Sequence, residues 1–74
     1  MIFPSRETLK KVKERFPVGC RVELDSMNDL RAPARGTKGT VQFVDDTGTV
    51  FVRWDNGSSL GVVYGEDSCH RVND

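Results

Sequence analysis

His70 is the one histidine of the chain, and Cys69 stands beside it. A cysteine and a histidine on one face could act as nucleophile and base. Here both fall in a short alternating run, where neighbouring side chains point to opposite sides of a strand, so they read as a buried thiol and a surface imidazole. Asp45-Asp46 and Asp55 could offer oxygens to a cation. Acids in tight turns cap their own backbone, however, and no further ligand set accompanies these. Lys38 lies between Gly36 and Gly39, but the spacing is not that of a phosphate loop and no helix follows, so the glycines read as turn formers. No catalytic residue, metal or cofactor is expected.

What remains is the chemistry of recognition. Arg31, Arg35 and Lys38, with Lys10, Lys11 and Lys13 nearer the N-terminus, could grip phosphates. Phe51 is out of phase with Val50 and Val52, so it should point outward beside Arg53 and Gln42, unless an N-terminal helix covers it. Tyr64 sits at a turn, and Leu30 lies in a stretch without periodicity. Arginine and aromatic side chains are the usual anchors of interfaces, so Leu30, Arg31, Arg35, Phe51, Arg53 and Tyr64 form the expected partner-binding set.

These residues need a scaffold, and the alternation of apolar residues supplies one. Phe3-Pro4-Ser5 opens a helix over 5–15, with Ser5 as cap, Leu9, Val12 and Phe16 on one face, and Pro17 as the stop. Glu7 with Lys11 and Lys10 with Glu14 are spaced to pair across a turn. Strands follow at Gly19 to Leu24, Gly39 to Val44, Thr49 to Trp54, Ser59 to Val63 and Cys69 to Val72. A long loop, Asp25 to Lys38, separates the first two. Asn56-Gly57 predicts a type I′ hairpin closed by Asp55 and Ser58, with Val50, Val52 and Trp54 opposed by Leu60 and Val62. Residues 64–67 are expected to form a single 3₁₀ turn. The order of elements is that of a mainly β domain, a small SH3-like five-stranded barrel with an N-terminal α-helix, in which the last strand lies beside the first.

Seventy-four residues allow one domain, 1–74, with one core. Its expected members are Val18, Val22, Leu24, Val41, Phe43, Val50, Val52, Trp54, Leu60, Val62 and Val72, with Leu9, Val12 and Phe16 from the helix. Formal net charge is zero, which gives no support to a general polyanion affinity. Residues 1–40 nevertheless hold nine Lys and Arg against five acids, and residues 41–74 two against six, so the halves carry +4 and −4. No apolar run approaches a signal peptide or a membrane span, and a cytoplasmic protein without membrane contact is expected. The first and last strands would bring Cys20 towards Cys69, but cytosolic redox keeps such thiols reduced.

Gly19, Arg21-Val22-Glu23-Leu24, Ser26-Met27, Ala32-Pro33, Gly36-Thr37-Lys38-Gly39-Thr40-Val41, Asp45-Asp46, Gly48-Thr49, Trp54-Asp55-Asn56-Gly57-Ser58-Ser59-Leu60, Gly65 and Asp67 resemble a family of short phage and bacterial mobile-element proteins. The resemblance spans residues 18–72, while Cys20 and Cys69-His70 depart from it. It implies an SH3-like barrel and a phage or mobile-element origin, and assigns no activity.

The reading that fits fold, charge and absent chemistry is a non-enzymatic module that binds a host protein or complex, for instance as an inhibitor of host defence. A nucleic-acid-binding barrel and a protein that sequesters a small nucleotide-like ligand are the alternatives. The sequence does not set an oligomeric state.

Overall fold

The computed structural model describes residues 4–73; Phe3 and the extreme ends of the expected domain lie outside them. Its elements are α1 (Arg6–Arg15), β1 (Arg21–Ser26), β2 (Lys38–Val44), β3 (Val50–Trp54), β4 (Ser59–Val62) and β5 (Ser68–Arg71). The fold is mainly β: the strands form one antiparallel sheet in the order β4-β3-β2-β1-β5, so the last strand does lie beside the first. No ladder joins β4 to β5 among the described residues, and α1 lies over that seam, with Val12 and Phe16 against the core and Thr8 and Arg15 facing Val62 and Cys69.

Ser5 caps α1 by accepting the Thr8 amide, and the chain leaves the helix at Phe16, ahead of Pro17. Neither Glu7–Lys11 nor Lys10–Glu14 closes as an ion pair among the described residues. Lys13 reaches instead to Asp46 in the β2–β3 turn, at 3.3 Å. Such pairs on a solvated helix contribute a few tenths of a kcal/mol, too little to hold long side chains in place.

Phe16, Val22, Leu24, Val41, Val50, Val52, Trp54, Val62 and Cys69 form the buried core, with Val12 and Leu60 packed against it. Four expected members are displaced, and one of them, Val72, lies past the end of β5, half-buried and outside the core cluster. Val18 stands free beyond the helix stop, Leu9 faces the other flank of α1 beside Lys13, and Phe43 is 50 % exposed. Phe43 is turned out by a bulge: Val41 pairs with Val52 but Phe43 with Phe51, leaving Gln42 as an extra residue that reverses the alternation.

The hairpin keeps the expected core facing, Val50 opposite Val62 and Val52 opposite Leu60. Its turn differs from type I′. Asn56 does not adopt positive φ; Gly57 alone does, at 94°, and Trp54 accepts from the Gly57 amide while donating to Ser58. The turn thus closes at Trp54 rather than Asp55, with glycine as the left-handed residue of a bulge, which spares Asn56 the strain. At 64–67 there is a hydrogen-bonded turn, not a 3₁₀ helix: the Glu66 and Asp67 amides both donate to the Val63 carbonyl.

Candidate functional site

Three separate surfaces carry the residues that could meet a partner. The first is the outer face of β2, β3 and β4. The bulge at Gln42 brings Phe43 opposite Phe51, and the two rings stack with centroids 4.5 Å apart and planes at 19°. Phe51 in turn lies opposite Gly61, whose missing Cβ leaves room for the ring: a Cβ there would stand 3.4 Å from Phe51 Cε1 and 2.6 Å from Thr49 Cγ2. Stacking and the glycine floor half-bury Phe51, while Phe43 remains open. Since α1 docks on the core side, which Phe51 points away from, the helix does not cover it.

Arg53, two residues along β3 on the same outward face, is exposed and has no ion-pair partner among the described residues. Its ladder partners are Thr40 and Ser59, neither an acid. The nearby Arg21 is committed: it donates to Thr40 Oγ1 at 3.0 Å and grips the Asp55 carboxylate with both terminal nitrogens. The platform therefore offers two stacked rings and one free cation.

The second surface is the β1–β2 loop over 27–37, where Leu30, Arg31 and Arg35 are all exposed. The loop is ordered by short local bonds. Asp29 accepts the Arg31 amide at 2.8 Å, and that amide is the main reason its carboxyl titrates below the ordinary value of 3.8. Asp67 ties the loop to the turn before β5, accepting the Asn28 amide at 2.7 Å and the Val63 amide at 2.9 Å. Sequence reasoning missed this staple, since nothing in the spacing of Asn28 and Asp67 announces it. The stacked rings lie away from the point where the loop enters the sheet, whereas Arg53, opposite Thr40, is nearer to it. Lys38 and Phe43 mark opposite ends of β2, about 17 Å apart at roughly 3.4 Å per residue.

Tyr64 belongs to a third surface, a groove of about 380 Å³ between α1, β4 and the start of β5. The six expected residues thus fall into the loop (Leu30, Arg31, Arg35), the platform (Phe51, Arg53) and the groove (Tyr64), and Phe43 is the platform residue that the alternation pattern had assigned to the core.

The remaining reactive groups are held in structural roles. Bulging of Asp25 in β1 aims its carboxylate at His70, Oδ1 to Nδ1 2.8 Å, while Glu23 lies 3.7 Å from Nε2. Cys69 points the other way, into the core, where burial and the Asp25 charge push its thiol up to about 11. Cys20 and Cys69 are both free, and the ladder that sets Leu24 opposite Cys69 leaves Cys20 four positions along the strand. Asp45 caps the β2–β3 turn: partial burial raises its pKa, but hydrogen bonds from the Thr47 hydroxyl and the Thr49 and Thr47 amides outweigh this and hold it below 3.8. Among the described residues no group of three or more His, Cys, Asp or Glu could hold a metal ion, and no helix is long and apolar enough to cross a membrane.

The chain belongs to the family defined by the domain of unknown function DUF4314, whose model matches residues 5–72, from the cap of α1 to the end of β5. Among curated proteins, none matches it.

Proposed function

We propose that the protein is a non-enzymatic binding module that docks a protein partner on the outer sheet face around Phe43, Phe51 and Arg53. The single observation behind this reading is the stacked, half-open Phe43–Phe51 pair with an unpaired arginine on the same face. A large exposed ring next to another ring costs solvation unless something covers it, and aromatic and arginine side chains supply most of the energy in protein interfaces. The complementary partner presents an apolar side chain to Phe43 and an acid to Arg53. The loop carrying Leu30, Arg31 and Arg35 is a second contact at the far end of β2, available to a partner large enough to span both.

The resemblance to phage and mobile-element proteins supports a finer form of this reading, in which the module acts in the host cytoplasm on a host protein or complex. A nucleic-acid partner could stack a base on the same rings. Zero net charge and the acidic turn at Asp45 and Asp46 beside the platform disfavour it.

Affinity capture from nuclease-treated host lysate, read by mass spectrometry, tests the reading. Wild type should retain a defined protein, and Phe43→Ser should lose it while its melting curve stays that of a folded domain. Capture that vanishes on nuclease treatment, or is unchanged by Phe43→Ser, would reject it.

A further inference from the structure

The groove beside α1 is built differently from the platform. Its floor is apolar and buried, formed by Phe16, Val50, Val62 and Cys69. Its volume, about 380 Å³, lies within the range of roughly 300 to 1,000 Å³ common for small-molecule sites. It follows from the open seam, because β4 and β5 share no ladder and α1 bridges the gap with only Val12 and Phe16 reaching the core.

The rim is basic. Lys11 and Arg15 stand one helical turn apart on the face of α1 that borders the groove. Like charges at this spacing repel, and neither cation has an ion-pair partner among the described residues. Arg15 is held over the Phe16 ring, 5.2 Å from its centroid, and its charge reaches the Cys69 thiol on the floor. The acid on the groove wall, Asp67, already spends one oxygen on Asn28 and the other on Val63. An apolar slot is thus paired with two cations at its mouth that form no ion pair among the described residues, while both oxygens of the Asp67 carboxylate are turned to backbone amides.

We propose that this groove binds an amphipathic monocarboxylate, its hydrocarbon part on Phe16, Val50 and Val62 and its carboxylate between Lys11 and Arg15. The anion removes the repulsion between the two cations, and the chain displaces water from the floor. This site is independent of the platform, since Phe43 and Phe51 take no part in it.

The test is an amide NMR titration of the full chain with decanoate and, separately, decanol, both below their aggregation limits. Decanoate should give saturable shifts confined to residues 8–16, 48–50 and 62–69, which line the groove, and decanol should bind at least ten-fold more weakly. In Lys11→Gln/Arg15→Gln, decanoate binding should fall about ten-fold while decanol binding is unchanged. Both positions are exposed, so the variant is expected to keep the wild-type spectrum elsewhere. Absence of saturable shifts, shifts centred on Phe43 and Phe51, equal affinity for the alcohol, or undiminished decanoate affinity in the double variant would each overturn the proposal.

Discussion

Gly39 is the position where one methyl group should do the most damage. It lies in β2 opposite Trp54, and its φ is one that any residue adopts, so backbone freedom is not the reason for glycine. Space is. A Cβ at Gly39 would stand 2.5 Å from Val52 Cγ1, 2.8 Å from the Arg53 carbonyl oxygen and 2.9 Å from Trp54 Cε3. Val52 and Trp54 are 2 % and 1 % exposed, so neither side chain has room to retreat, and the Arg53 carbonyl is fixed in the sheet. Overpacking of this kind costs about 1 to 3 kcal/mol, and three simultaneous clashes argue for the upper half. Against a total of about 4 to 11 kcal/mol for a chain this long, Gly39→Ala should lower Tm by about 10 to 20 °C. Trp54 is the only tryptophan, so its fluorescence reports unfolding from the site itself. Gly57 is the control: nothing lies within 4 Å of a Cβ there, but φ is +94°, so the cost is backbone strain. Asn tolerates that conformation and should be better than Ala at position 57, whereas at 39 Asn should be worse than Ala. A Gly39→Ala protein that melts within about 3 °C of wild type would refute the close approach of Trp54 to β2.

Two further outcomes follow from the titrating groups. Asp45 has its folded pKa depressed, so its contribution to stability is complete above 3.8 and is lost as pH falls through the lower folded value. Denaturant melts should therefore show Asp45→Asn less stable than wild type by a constant amount from neutral pH down to about pH 5, with the gap closing below pH 3.8. Cys69 is buried and its thiol is raised to about 11, whereas Cys20 is half-buried. At pH 8 a thiol reagent followed by mass spectrometry should label Cys20 before Cys69, whose raised thiol leaves little thiolate at that pH.

Much of the fold was legible because its signals are local. The helix stop at Pro17, the alternation through β1 and β3, and the inward set Val50, Val52 and Trp54 are all written within a few residues and stand as read, whereas in β5 Cys69 is buried but Val72 falls beyond the strand and outside the core. What failed to show depends on one strand meeting another. A bulge at Gln42 is a property of the β2–β3 pairing, and it moved Phe43 from the expected core to the centre of the proposed binding face. Asn-Gly marked a turn correctly, but its type was decided by how Trp54 could bond to both Gly57 and Ser58. The Asp67 staple and the cramped site at Gly39 join residues far apart in sequence. Phe51 and Arg53 were legible as outward residues, yet the distance of the Phe51 ring from the loop that carries Leu30, Arg31 and Arg35 follows from the length of β2 and its pairing with β3, which the residue types alone do not convey.

The measurement that bears most directly on the proposed function is calorimetric titration of the purified captured partner with wild type, Phe43→Ala, Phe51→Ala and Arg53→Ala. Anchor residues at an interface are worth at least about 2 kcal/mol each, so Phe43→Ala and Arg53→Ala should weaken binding by roughly thirty-fold with the domain still folded. Phe51→Ala should do the same while also lowering Tm, because its ring covers Gly61. If all three bind the partner as tightly as wild type, the stacked pair and its arginine are not the docking face.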